Sequence, residues 1–189
     1  DTIDCLSSRL KTGLLEKIKG LKADKLSVSP CSFLDYSNLY PEEKENWIVF
    51  SGRMEKIKNP LLFLESVNLI KKHLKDKWKI FILGDGSLFY QMEDYIKSNE
   101  LDFVEMKGFV SNPQKYLRKS KIFISLQQED NYPSQALMEA MACENAIIAS
   151  DVGDTKRFVG NSNGMVVELK AEKISEAIKN MIVNLERIP

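Results

Sequence analysis

The segment SGRMEKIKNP, residues 51–60, sets Arg53 and Lys58 after an apolar run and before a stretch of helical spacing. A guanidinium and an ammonium at the end of a strand suit two sides of a diphosphate. A helix start beside them adds free N–H groups and partial positive charge. Taken alone, a solvated turn in a lysine-rich chain is the plainer reading. Yet only five of the 27 basic residues are arginine, so an arginine here stands out. Gly84-Asp85-Gly86 begins a second candidate. Asp-Gly suits a hairpin, but helical periodicity follows it and favours a strand-to-helix turn. The triplet also starts a dinucleotide fingerprint, with Phe89 where the third glycine belongs. A structural turn is the plainer role. The third candidate is EDNYPSQALMEAMACENAIIA, residues 129–149, where Asn131 sits in a loop and Glu139 eight residues on in a helix. At ~1.5 Å per helical residue the two polar groups stand up to roughly 10 Å apart. That span addresses two ends of one extended ligand, and the first helical turn between them offers amides to a phosphate. By itself Glu139 reads more simply as an exposed carboxylate pairing with lysines.

Other chemistries find little support. His73 is the sole histidine and sits in the lysine-rich IKKHLKDK, a solvated helix face. This chain therefore offers no Ser-His-Asp or Cys-His triad. Cys5, Cys31 and Cys143 are odd in number and widely spaced, which fits a reduced, cytosolic compartment and argues against a disulfide or zinc framework. Cys143 ends an apolar helix and reads as packed. There is no D-x-D and no His/Cys cluster for a metal. Formal net charge is zero, with 27 basic and 27 acidic residues. The balance gives no support to nucleic acid or an anionic membrane as main partner. No apolar run approaches the length of a membrane span and no signal peptide is recognisable. The chain opens on Asp1 rather than Met, which suggests a cut or processed fragment. Tyr132, Phe109 and Tyr116 are aromatics for stacking on a base or sugar, or for packing.

The elements that position these groups alternate from residue 47 onward. WIVFS (47–51), WKIFIL (78–83), 103–106, IFISL (122–126), AIIAS (146–150) and 165–167 read as strands. Between them, Asn59-Pro60, Ser87, Asn112-Pro113 and Pro133-Ser134 offer helix starts. Phe63, Val67, Ile70 and Leu74 share one helical face, as do Ile174, Ile178, Met181 and Leu185. Strands apolar throughout and joined by helices predict a doubly wound α/β domain with a parallel sheet covered on both faces. Ligands of such sheets sit at the C-terminal rim of the strands. Residues 1–45 look different: a strand at TIDCL, a helix around 8–19, a strand at KLSVS and a polar linker. They read as the tail of a preceding domain, or else as one edge of the same sheet.

In order and spacing, SGRMEKIKNP, ILGDGSL, KGFVSN, residues 129–149 and SDVGDTKRFVGNSNGMVV resemble the family 4 retaining glycosyltransferases of GT-B fold, over about residues 45–185. The resemblance implies a Rossmann-like C-terminal donor domain, residues 46–189, that binds a nucleoside diphosphate sugar. It also implies that residues 1–45 end the acceptor-side domain. Carried onto this chain, Arg53 and Lys58, with Gly52 beside them, bind the donor diphosphate. The turn Gly108-Phe109-Val110 lies against the nucleobase, and Glu139 binds the ribose. Tyr132, Pro133, Ser134 and Gln135 face phosphate and sugar. The family's E-x7-E becomes N-x7-E, with Asn131 at the position whose acid contacts sugar hydroxyls. Glu144 replaces a usual Gly, Ala146 a usual Pro, and Arg157 a common acid. The implied chemistry is metal-independent, retaining hexosyl transfer, with no cofactor. The acceptor is a glycan or a lipid-linked one, held by the missing domain, in lipopolysaccharide or capsular polysaccharide assembly. The implied place is the cytosolic face, with peripheral membrane contact through the rest of the enzyme. UDP, GDP and ADP sugars all remain open. Open too are a non-catalytic nucleotide-binding module, for which Asn131 speaks, and an NAD-binding domain, against which Phe89 speaks.

Overall fold

A computed structural model describes residues 2–29, 35–129 and 134–186. Its main sheet has six strands: β3 (Glu45–Ser51), β4 (Lys79–Leu83), β5 (Val104–Gly108), β6 (Ser120–Ser125), β7 (Ala146–Ser150) and β8 (Gly164–Val167). Their order across the sheet is β5-β4-β3-β6-β7-β8, and every adjacent pair is parallel. The central strands are apolar through their middles, at Ile48–Phe50, Ile80–Leu83 and Ile122–Ile124, because both faces are covered there. Ile48, Phe50, Ile80, Ile82, Ile122 and Ile124 point to one face. Val49, Phe81, Leu83, Phe123, Ile147 and Ala149 point to the other.

Helices α2 (Pro60–Leu69), α3 (Lys71–Leu74), α4 (Phe89–Ser98) and α7 (Ala171–Glu186) supply the first face through Phe63, Val67, Leu74, Met92 and Ile178. Helices α5 (Gln114–Lys119) and α6 (Gln135–Ala142) close the second through Leu117, Leu137 and Ala140. The doubly wound reading holds, and Cys143 is fully buried as expected. His73 is exposed on α3. Cys31 lies outside the described residues.

Three local expectations need correction. The helical face from Phe63 to Leu74 belongs to two helices, because the chain breaks at Ile70. Asn59 precedes Pro60 but its side chain does not cap α2. Its Nδ2 donates to the Leu126 carbonyl at 2.8 Å, and its Oδ1 accepts from Gln128 at 2.9 Å. Ser87 does not cap α4 either; its N–H and hydroxyl donate to the Glu55 carboxylate at 2.9 and 2.7 Å. Both residues have a tertiary partner stronger than the local one, since a carboxylate or a fixed carbonyl outcompetes a solvated cap.

Residues before the linker form a separate two-stranded parallel sheet, β1 (Ile3–Cys5) with β2 (Leu26–Val28), joined by α1 (Ser8–Lys17). They are not an edge of the main sheet. The linker is fastened to the domain. The Arg118 guanidinium donates to the Asn38 carbonyl and stacks 4.0 Å from the Tyr40 ring. Lys44 donates to the carbonyls of Leu117, Ser120 and Cys143. Buried Asn145 ties the ends of α5 and α6, donating to Leu117 and Ala140 and accepting from the Ser120 hydroxyl.

Glu144, standing where the family usually has glycine, follows α6 at φ +58°. This left-handed position strains any side-chain-bearing residue and is where helices favour glycine. Glu144→Gly should stabilise the chain by about 1 kcal/mol, a rise of a few degrees in Tm. Calorimetric melting of both proteins checks this, and an unchanged or lower Tm would refute it.

Candidate active site

Strand order reverses between β3 and β6, since β4 and β5 continue outward from β3 while β7 and β8 continue from β6. The crossovers leave from opposite faces at that seam, so the ends of the two strands part and form a crevice. A cavity of about 420 Å³ opens there. Ser51, Gly52, Arg53 and Lys58 line it from the β3 side; Ser125, Leu126 and Gln127 from the β6 side; Ser134, Gln135 and Ala136 from the start of α6. Leu6, from the β1–α1 turn, adds a further wall. Five of the sequence-predicted residues, Gly52, Arg53, Lys58, Ser134 and Gln135, therefore meet at one place.

The turn that carries Arg53 is held by the turn after β4. Gly52 N–H donates to the Leu83 carbonyl at 3.0 Å and Met54 N–H to the Asp85 carbonyl at 2.9 Å. In return Leu88 N–H donates to the Met54 carbonyl at 3.0 Å. The two backbones approach so closely that a Cβ on Gly84 would stand 1.9 Å from the Gly52 oxygen, and one on Gly86 2.7 Å from the Met54 oxygen. The GDG triplet is thus a backbone-contact motif between two turns and not a hairpin. Glu55, bonded to Ser87, adds a second clamp.

Arg53 is exposed and Lys58 half-buried. Lys58 donates to Gln127 Oε1 at 2.9 Å. Burial, and secondarily the Arg53 charge, push its ammonium below the ordinary lysine pKa. Two cations that repel each other across a cavity wall make a site that gains from an anion. The helix mouth on this cavity is that of α6, whose first-turn amides have no intrahelical acceptor. The start of α2 does not line it: Pro60 has no N–H to offer, and Asn59 is stapled to the β6 loop.

Gln135 also lines a neighbouring hollow of about 530 Å³ with Ser111, Asn112, Gln114, Arg118, Glu139, and Asp35 and Asn38 of the linker. Glu139 is half-buried and makes no ion pair with lysine among the described residues. Desolvation raises its carboxyl pKa, and a hydrogen bond from Gln114 opposes the rise. The two hollows share Gln135 in their linings. Gly108, at φ +62°, ends β5 just before this lining. Val110 packs into the core, whereas Phe109 is 83% exposed at the rim. Tyr116 is a packing residue, 5.1 Å from Phe81. Asn131, Tyr132 and Pro133 lie outside the described residues. Sequence reasoning missed Gln127, because its partner Lys58 is 69 residues away and no local pattern marks a glutamine in a strand end.

A doubly wound parallel sheet with a crevice at its reversal point defines the class of α/β domains that take ligands at the C-terminal ends of their strands. The Glycosyl transferases group 1 family matches residues 37–187, and the chain belongs to that family. It is 31% identical over 150 residues to a Campylobacter jejuni α-1,4-N-acetyl-D-galactosaminyltransferase acting on a diNAcBac-diphospho-undecaprenol-linked substrate, covering 78% of this chain and 41% of that protein. It is 30% identical over 146 residues to the poly(ribitol-phosphate) α-N-acetylglucosaminyltransferase of Staphylococcus aureus, covering 71% and 29%. The chain thus spans less than half of these relatives. In fold it is similar to Anabaena HepE in complex with UDP and glucose, at TM-score 0.80 and 14% identity, over 98% of this chain and 54% of that one. The architecture is thus an α/β fold of the kind found over about half of a GT-B glycosyltransferase structure.

Gly84→Ala should displace the Arg53 turn, because its methyl overlaps the Gly52 carbonyl and φ is +131°. Overpacking and backbone strain together cost about 3 kcal/mol. Urea unfolding measures the loss; a cost under roughly 1 kcal/mol would show that the turns need not touch.

Proposed function

We propose that the chain is the donor-binding part of a retaining, metal-independent hexosyltransferase. Arg53 and Lys58 hold the donor diphosphate with the α6 amides, Glu139 accepts from the ribose hydroxyls, and Asn131 orients the sugar. Gly52, Tyr132, Pro133, Ser134 and Gln135 face phosphate and sugar, and Gly108-Phe109-Val110 borders the base. The convergence of both cations and the α6 start in one crevice carries this reading. The transition state is oxocarbenium-like, with negative charge growing on the departing diphosphate, so fixed cations lower its energy more than that of the ground state. Among the described residues no group of three His, Cys, Asp or Glu side chains stands ready for a metal. In this reading charge compensation comes from the arginine, the lysine and the helix start.

Residues 1–45 are the end of the acceptor-side domain in this reading. Their own two-stranded sheet supports it, since two strands alone are barely stable in water. So does α1, none of whose residues is buried and whose Leu10 is 50% exposed. The acceptor is a glycan or lipid-linked glycan, in keeping with the C. jejuni and S. aureus relatives. In this reading the work takes place at the cytoplasmic side, and contact with lipid belongs to the rest of the enzyme.

A melting panel with UDP, GDP and ADP tests donor binding. One of them at a hundred times its Kd should add roughly 2.7 kcal/mol, and Arg53→Ala should abolish most of that gain without lowering the unliganded Tm. No response to any of the three would end the nucleotide reading. If binding occurs but full-length enzyme transfers no sugar, the domain is a binding module.

The raised pKa of Glu139 gives a second test. Its carboxylate protonates at a pH above the usual glutamate range, so the ribose acceptor is lost early on acidification. Affinity for the bound nucleotide should therefore weaken as pH falls through the raised Glu139 pKa, and more steeply than affinity for inorganic pyrophosphate does. Calorimetric titrations giving parallel curves for the two would refute the ribose role.

A further inference from the structure

Lys58 is a half-buried cation with no carboxylate partner among the described residues. Its described anchor is an uncharged one, Oε1 of Gln127 at 2.9 Å. Gln127 is itself buried and fixed. Its Nε2 donates to the Ser125 hydroxyl at 3.4 Å, and its backbone carbonyl accepts from the Ser150 hydroxyl at 2.7 Å. The next residue, Gln128, donates its N–H to the Ile57 carbonyl at 2.9 Å, so the two segments are stapled on both sides of the contact. Both side chains line the crevice.

We infer that Gln127 is a positioning residue for anion capture, holding the Lys58 ammonium on the crevice wall while leaving its charge available to a diphosphate. A glutamate here would hold the ammonium as well or better but cancel its charge. An apolar residue would leave one donor unsatisfied and let the side chain turn to solvent. Only a neutral acceptor does both jobs. The inference rests on the nucleotide reading above, and concerns how its cation is presented.

The charged surroundings of Lys58 are few. Arg53, on the turn after β3, faces it and lowers its pKa. Glu55, on the same turn, is occupied by Ser87. The lining residues from β6 and α6 are Ser125, Leu126, Gln127, Ser134, Gln135 and Ala136, all uncharged.

The test uses wild type, Gln127→Glu and Gln127→Met, with each variant's Tm as a check on folding. The Lys58 pKa is read by NMR of 13C-labelled lysine in the unliganded chain. Inorganic pyrophosphate and UDP are then titrated across the alkaline range by calorimetry. An ammonium binds the anion and an amine does not, so affinity falls as pH rises through the Lys58 pKa. Gln127→Glu should raise that pKa, weaken both probes at least tenfold at neutral pH, and move the alkaline fall-off upward. Gln127→Met should lower the pKa and move the fall-off downward. Shifts of opposite sign are what a merely structural role would not produce. An unshifted Lys58 pKa in both variants overturns the inference even if wild type binds both probes. Shifted pKa values with no binding of either probe by wild type overturn the nucleotide reading instead.

Discussion

The backbones of Gly52–Met54 and Gly84–Gly86 lie against each other without room for a side-chain carbon between them, and the site depends on that contact. Parallel pairing of β3 with β4 brings the two strand ends level, Ser51 opposite Leu83. Three backbone hydrogen bonds then continue the pairing past the end of the sheet into the turns. An exposed arginine on a free turn would sample many orientations, and ordering it at the moment of binding costs conformational entropy. Here the turn is fixed in advance and only the Arg53 side chain remains to be ordered. Gly84 and Gly86 therefore help fix the crevice wall although neither lines the crevice.

The same economy recurs on the other wall. Asn59, Gln127 and Gln128 connect the residues around Lys58 to the end of β6 by side-chain and backbone hydrogen bonds. The crevice at the sheet's reversal point is thus braced from β4 on one side and bridged to β6 on the other. A site at a seam between strands that diverge would otherwise be free to widen. These cross-seam bonds hold the two walls of the crevice together.

Much of this was legible in the residues. The central strands could be read because their middle residues are apolar on both faces, and the parallel sheet followed from that. The cation pair and Glu139 could be singled out by their order along the chain. What the sequence concealed depends on partners distant in the chain. Asn59 and Ser87 have the composition of caps, and only the folded chain brings Leu126 and Glu55 to them. The GDG triplet reads as a turn from its own residues, whereas its reason is the turn after the neighbouring strand. Gln127 carries no signal at all until Lys58 arrives beside it. Glu144 was recognisable as a departure, and its φ explains why glycine is usual there.

Lys58 and Glu139 are both held against their preference for water, the first with its pKa lowered and the second with its pKa raised. Each shift means that the unliganded fold disfavours the charged form of that group. Such groups lower stability by themselves, and a chain shaped by stability alone would replace them with apolar residues of similar size. They make sense if something outside the protein restores what burial removed: an anion at the lysine, and hydroxyl donors at the glutamate. The two groups line separate hollows that have Gln135 in common. A ligand with phosphate at one end and a ribose at the other relieves both at once. A ligand with only one of these features relieves half. On the proposed reading, preference for a whole nucleotide comes from the cost of holding these two charges partly out of water.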